Sequence, residues 1–311
     1  MRITSNSISN QFLDQIRTLS ARQNRLQAQA ATGQRIEFGE EDPAAMQRVR
    51  LLQAESSNLM QFQSNMEMLS DKAAASYGVM RGLKTISDRV SELATMVDGT
   101  RSPEDLKIYG IEVGQLIEQA TQLVNERHNG DYLFGGTRSD QPPFVISRDD
   151  GGRVIKVAYQ GNGDIPAVEV SKSAFISAQV PGANTNGVGS HGLITDSRTG
   201  ADLFSHLIDF QNHLNAGDTV SVETIDRTAL GQDEENLIFL IGTNAAIQSR
   251  LESGLSLAAN RLYSLDRSVS KEASADLAET LVDLNKTQTA YQAALQSSAG
   301  IMRLSLLDYL R

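Results

Sequence analysis

The chain has 311 residues, with 28 Lys plus Arg against 38 Asp plus Glu and a formal net charge of -10, so its field favours neither nucleic acid nor an anionic membrane. Aromatic residues are only 5%, and Cys and Trp are absent. That removes disulfides, zinc-thiolate sites and thiol nucleophiles, and it points away from one compact core toward long helices packed through narrow stripes.

The first predicted element is a helix whose seam steps in fours and threes through Phe12, Ile16, Leu19, Gln23, Leu26, Ala30 and Gly33. Gly33 closes it, and Asp42-Pro43 opens the next helix as an acidic N-cap followed by proline at the first helical position. The stretch TGQRIEFGEED between them is a connector. Residues 1 to 10, MRITSNSISN, lack the apolar region and cleavage pattern of a secretory signal peptide. No run approaches ~20 apolar residues, so no transmembrane helix is expected.

The second helix carries the same alternation through Phe62, Met66, Leu69, Ala73, Ser76, Met80, Leu83, Ser87, Val90, Ala94 and Val97. From Pro43 it would run about 55 residues, roughly 80 Å at 1.5 Å per residue. Asp98-Gly99 ends it. Ser102-Pro103-Glu104-Asp105 begins a third helix with a capping serine and acids in its first turn. Its stripe of Leu106, Tyr109, Val113, Leu116, Ala120 and Leu123 stops near Asn129-Gly130.

Beyond residue 130 the period changes. Val154 to Tyr159 and Ala167 to Val170 are short and β-branched, with Gly161-Asn162-Gly163-Asp164 between them and Asp149-Asp150-Gly151-Gly152 ahead, which are hairpin-turn compositions. Residues 136 to about 190 read as a small β-rich module followed by a Gly/Asn-rich link. Helix returns from Ala201 to Asn215 and again from about Asp233 to near Lys271, with Ile247, Leu251, Ala258, Leu262 and Leu265 on one side. The last segment repeats the grammar of the first, stepping through Leu277, Leu281, Leu284, Gln288, Tyr291, Leu295, Ser298 and Met302 toward Leu306 and Leu307.

Each terminal seam has one large apolar residue in every three or four, against a backbone-ordering cost of about 1 to 2 kcal/mol per residue. Residues 1 to about 40 and about 273 to 311 are therefore expected to stay frayed in the monomer and to fold when neighbouring copies or partners cover them. An intramolecular helical bundle is the alternative that heptads alone leave open.

Thr32-Gly33-Gln34-Arg35-Ile36 followed by Asp42-Pro43-Ala44-Ala45 resembles the flagellin superfamily, with its GxRI turn and DDPA-like helix start. Within it, the start MRIT, the phrase Asn129-Gly130-Asp131-Tyr132-Leu133-Phe134-Gly135-Gly136-Thr137, Pro142-Pro143-Phe144 and the ending LSLLDYL are similar to the hook-filament junction branch. The resemblance covers residues 1 to 145 and 235 to 311 and is weak between them.

It implies a mainly α fold with a β-rich insert: a flagellin-like hairpin of long coiled-coil helices with both termini paired and a small outer β domain. The implied division is 1–42 for the inner N-terminal helix and connector, 43–135 and 196–272 for the two parts of a helical bundle, 136–195 for the β insert and 273–311 for the inner C-terminal helix. It implies no enzyme and no cofactor, but a structural adaptor that closes into a ring of its own copies between the other hook-associated junction protein and flagellin. The alternative is a flagellin that forms the filament. Export without a cleavable signal through the type III apparatus, a chaperone on the C-terminal helix and an extracellular flagellar location are implied as well.

The assembly interface is expected along Ile8, Phe12, Ile16, Leu19, Gln23, Leu26, Leu277, Leu281, Leu284, Gln288, Tyr291, Leu295, Met302, Leu306 and Leu307, with Arg35 and Ile36 at the connector. Glu40, Glu41 and Asp42 either contact adjacent copies or line a solvated loop. Phe38 departs from the small polar residues usual after GxRI, and is either docked on the bundle or buried at a contact. His128, His191, His206 and His213 show no metal-ligand spacing, and no phosphate loop or serine elbow is present. A secreted enzyme or adhesin working through the β module is a third reading, with few convergent polar residues behind it.

Overall fold

The computed structural model describes the backbone of residues 5 to 309 and the side chains of residues 10 to 300. It is mainly α: α1 (Ser5–Thr32), α2 (Pro43–Met96) and α3 (Pro103–Val124) precede a strand-rich region, and α4 (Leu203–Ala216), the short α5 (Thr219–Ser221), α6 (Arg227–Ala273) and α7 (Leu277–Tyr309) follow it. A π-helical turn, Val222–Asp226, joins α5 to α6. The chain divides into two compact units, Met1–Asn58 with Asn260–Arg311, and Leu59–Ala259.

In the second unit the stripe expected along α2 is buried from Met66 to Val97, polar members Ser76 and Ser87 included; Phe62 is half-buried. Holding one four-three stripe under cover for so long requires continuous partners. The main cluster supplies Leu106, Val113, Ile117 and Ala120 from α3, Phe204, Leu207, Phe210 and Leu214 from α4, and Leu230, Leu237 and Leu240 from α6. Each fully covered large side chain stabilises by about 1.5–3 kcal/mol. Ser102 caps α3 by accepting the Asp105 N–H, while Arg227 ends α2 by donating to the carbonyls of Ala94 and Val97.

The strands are β1 (Arg127–His128), β2 (Asp131–Tyr132), β3 (Phe144–Arg148), β4 (Val154–Tyr159), β5 (Val168–Ser171), β6 (Ala174–Ile176), β7 (Ala183–Asn184), β8 (Thr195–Asp196) and β9 (Ala201–Asp202). Three antiparallel hairpins and a three-stranded β7-β8-β9 sheet result. Pairing differs from the sequence reading. β4 pairs with β3 and β5 with β6, so Gly161-Asn162-Gly163-Asp164 is not a hairpin turn; Asn162 instead accepts the Thr137 N–H and donates to the Thr137 hydroxyl. Asn129-Gly130, read as a helix stop, is the tight turn of β1-β2, with both residues at positive φ.

The strands have no core of their own. Phe144, Val154 and Val180 join the main cluster, with the Phe144 ring 5.6 Å from that of Phe204 and 5.1 Å from that of Tyr159. Val170, Ile176 and Ala178 form a second cluster with Met66, Leu69, Ala73, Leu251 and Ala258. The Tyr159 hydroxyl lies 2.9 Å from the carbonyls of Phe134 and Asn162 and accepts the Gly182 N–H, while Asn125 exchanges two hydrogen bonds with the main chain of Phe144. α6 begins six residues ahead of the expected Asp233, which is buried and bonded to His206 at 2.9 Å; His213 reaches buried Asp226 in the same way.

Asp196 in β8 has a fully buried side chain that accepts from the Gly192 N–H, the Arg198 N–H and the Arg198 guanidinium. Burial alone would raise its pKa, but Arg198 and the two main-chain donors overcome it and hold the group at about 2. The folded value lies below the ordinary aspartate value of 3.8, so the stability it contributes is present above that pH and is lost as pH falls through about 2. Asp196→Asn should cost about 1–3 kcal/mol at neutral pH by taking a charged acceptor from the buried Gly192 N–H, and urea titrations at pH 7 and pH 2 should show the gap between the two proteins closing in acid.

Candidate assembly surface

In the first unit α1 and α7 pack along their length. From α1, Leu26 is buried, and Phe12, Ile16, Leu19 and Gln23 are half-covered. Ile8, Met302, Leu306 and Leu307, and the MRIT start, lie outside the residues whose side chains are described.

α7 turns only part of the expected seam inward. Thr280 and Thr287 are buried, and Leu284, Gln288, Tyr291, Ala294 and Ser298 are half-covered. Leu284, Gln288, Tyr291 and Ser298 belong to the expected seam, whereas Thr280, Thr287 and Ala294 lie inward in place of Leu277, Leu281 and Leu295. Leu277 (49% exposed), Leu281 (50%) and Leu295 (43%) therefore face out, joined by Val282. Both terminal segments are drawn as helices, in contrast to the frayed tails expected of a monomer. What stays unfinished is the covering of their leucines.

The connector is tied to the joint between α6 and α7. Gly33 takes φ +70°, a left-handed conformation that glycine adopts without strain, and turns the chain out of α1. Gln34 then pairs with Ser274 as an antiparallel bridge, flanked by Arg35 N–H to the Ala273 carbonyl (2.7 Å) and Ala275 N–H to the Gly33 carbonyl (2.8 Å). The Arg35 guanidinium donates to the Glu272 carbonyl at 2.8 Å and reaches Asp42 at 3.4 Å. It thereby satisfies a carbonyl left open at the end of α6.

Asp42 caps α2 by accepting the Ala45 N–H at 2.9 Å. That bond, and after it Arg35, holds the Asp42 carboxyl below its usual range against a modest opposing effect of burial. Arg48 pairs with Glu272 at 2.8 Å and lowers the Glu272 pKa. Glu41 pairs with Arg25 and accepts the main-chain N–H groups of Glu37 and Phe38. Arg35 and Glu41 thus spend their polar groups within the chain, and Ile36 is buried. Phe38 is 63% exposed, which removes docking on its own bundle as the account of this residue. Glu37 and Glu40 are exposed as well.

Sequence reasoning missed Thr280, Thr287 and Glu272. The threonines share the four-three period of the leucines beside them, and Glu272 lies 237 residues from Arg35. Among the described residues, no group of three or more His, Asp or Glu side chains is placed to hold a metal ion, and no helix is long and apolar enough to cross a membrane.

Arg35→Ala should release the connector. The main-chain N–H groups of Arg35 and Ala275 should lose about 1–2 kcal/mol of exchange protection, measured by native-state amide exchange, while Arg35→Lys recovers only part of it. Unchanged protection in Arg35→Ala would show that the backbone bridge holds by itself.

Residues 3–139 match the family model of the bacterial flagellin N-terminal helical region. No curated protein matches the chain. Among solved structures, a chain from Vibrio parahaemolyticus described as a flagellar hook-associated protein superposes with a TM-score of 0.63 at 14% identity, covering 75% of this chain and 100% of that one. Flagellar hook-associated protein-3 of Legionella pneumophila gives 0.59 at 14% identity, with 72% and 98% covered. FlgL of Bacillus cereus gives 0.56 at 16% identity, with 71% and 99% covered. Residues 3–139 are therefore similar to the flagellin N-terminal helical region, and the chain has the fold of the FlgL and hook-associated protein structures.

Proposed function

We propose that this chain is a structural, non-catalytic adaptor of the bacterial flagellum, joining hook to filament by closing into a ring of its own copies. The observation that carries this reading is the outward row on α7: Leu277, Leu281 and Leu295 are large apolar residues on a helix that already has a partner. Scattered exposed leucines are ordinary. A row of them along one terminal helix, beside an inward face that buries threonine, fits a helix pair designed to sit among further helices.

In this reading α1 and α7 form the inner layer of a tube, and the interface runs through Phe12, Ile16, Leu19, Leu284, Tyr291 and the outward leucines, and on to Ile8, Met302, Leu306 and Leu307. The other hook-associated junction protein meets the ring on the hook side and flagellin on the filament side. The bundle division at 43–135 and 196–272, with 136–195 as an insert, belongs to the same reading. So do export through the flagellar type III apparatus without a cleaved signal, a chaperone that shields α7 beforehand, and an extracellular final location. The family match is to flagellin's own N-terminal region, which favours a filament-forming flagellin as the second reading. Copy number per filament separates the two.

Leu281→Asp with Leu295→Asp should leave the melting of the monomer within about 0.5 kcal/mol of wild type, because both side chains already face water. The same variant should fail to cap purified hooks or support filament growth, seen by electron microscopy of hook ends. Normal capping by the variant would remove the outward row from the interface.

A further inference from the structure

The connector and the last turns of α6 carry complementary features that the chain does not join to each other. Phe38 is held facing solvent by the bridge at Gln34 on one side and by Glu41, which takes the main-chain N–H groups of Glu37 and Phe38, on the other. Its neighbours Glu37 and Glu40 are exposed and form no ion pair among the described residues, whereas Glu41 and Asp42 are engaged by Arg25 and Arg35.

On α6, Tyr263, Arg267 and Lys271 line an open groove of about 280 Å³ together with Ser264 and Ser268. Tyr263 is 67% exposed. Arg267 and Lys271 are exposed and form no ion pair among the described residues, although Arg261 on the same helix is held by Glu55.

The spacings agree. Arg267 and Lys271 stand one turn apart on one face, about 6 Å along the axis. Glu37 and Glu40 stand three residues apart around a turn closed by the Glu41 N–H to the Phe38 carbonyl, which keeps them below the roughly 10 Å reach of an extended segment. Two carboxylates flanking an aromatic ring thus match two cations beside an aromatic-walled groove. The exposure of both Phe38 and Tyr263 in the single chain shows that this match is not made internally.

We propose that the connector of one copy docks into the α6 groove of a second copy, with Phe38 against Tyr263 and with Glu37 and Glu40 paired to Arg267 and Lys271. The proposal rests on the ring reading above and names a contact between its neighbours. The contact is heterologous: the connector of one copy meets the α6 strip of the next, two different surfaces, as a ring contact joins.

Because the chain has no native cysteine, Glu40→Cys and Lys271→Cys can be placed in separate full-length chains and mixed. On association the mixed disulfide should exceed either self-disulfide. Arg267→Glu with Lys271→Glu should weaken association, read by analytical ultracentrifugation, at least about tenfold through like-charge contact, and adding Glu37→Lys with Glu40→Lys to that chain should restore it. Association that stays within ~2-fold of wild type in the reversed chain, or disulfides from Lys271→Cys formed only with a cysteine-bearing flagellin, would overturn the contact and leave the ring reading standing. A wild-type chain that never associates, alone or at hook ends, would bring down the ring reading and this contact with it.

Discussion

The structure depends on an incomplete pairing between its two terminal helices. α1 and α7 meet through a face that buries Thr280, Thr287 and Leu26 and half-covers Phe12, Leu19, Leu284 and Tyr291, while Leu277, Leu281 and Leu295 remain outside. Burying a threonine contributes less than burying a leucine and requires its hydroxyl to be satisfied; Thr280 meets that need by donating to the Asp276 carbonyl of its own helix. The face chosen inside one chain is therefore the less apolar of two adjacent ones. A helix pair arranged in this way holds together while leaving its more apolar surface uncovered.

The remaining architecture positions that pair. Long helices have to stop at defined places, and here side chains distant in sequence perform the stop. Arg227 closes α2 through the Ala94 and Val97 carbonyls, and Arg35 closes α6 through the Glu272 carbonyl. The second of these also fixes the connector, so that the end of α1, the start of α2 and the junction of α6 with α7 share one set of hydrogen bonds. Within the other unit, the strands are held by the helices they cover: Phe144 enters the main cluster and Val170 the second.

Much of this was legible in the sequence because sustained periodicity and end signals report local physics. The α2 stripe, the Ser102 and Asp42 caps and the Gly33 stop follow from residue spacing and from side chains that serve neighbouring main-chain groups. The strand pairing was not legible. Residues 144 to 148 sit behind two prolines, and Asn162, placed in a turn-like composition, bonds instead to Thr137, 25 residues away. The flanks of the α7 seam were hidden for a different reason: rows beginning at Leu277 and at Thr280 share Leu284, Tyr291 and Ser298 and the same four-three period, so only the partner helix decides which residues join them. Arg35 looked like a residue for neighbouring copies, and its actual carbonyl partner lies at the other end of the chain.

The central claim, that neighbours cover the outward row of α7, is tested most directly by hydroxyl-radical footprinting of the wild-type chain, first free and then assembled at hook ends. The account predicts strong labelling of Leu277, Leu281 and Leu295 in the free chain and protection of all three after assembly, with Leu26 protected in both. Labelling of the three leucines that is unchanged by assembly would contradict it.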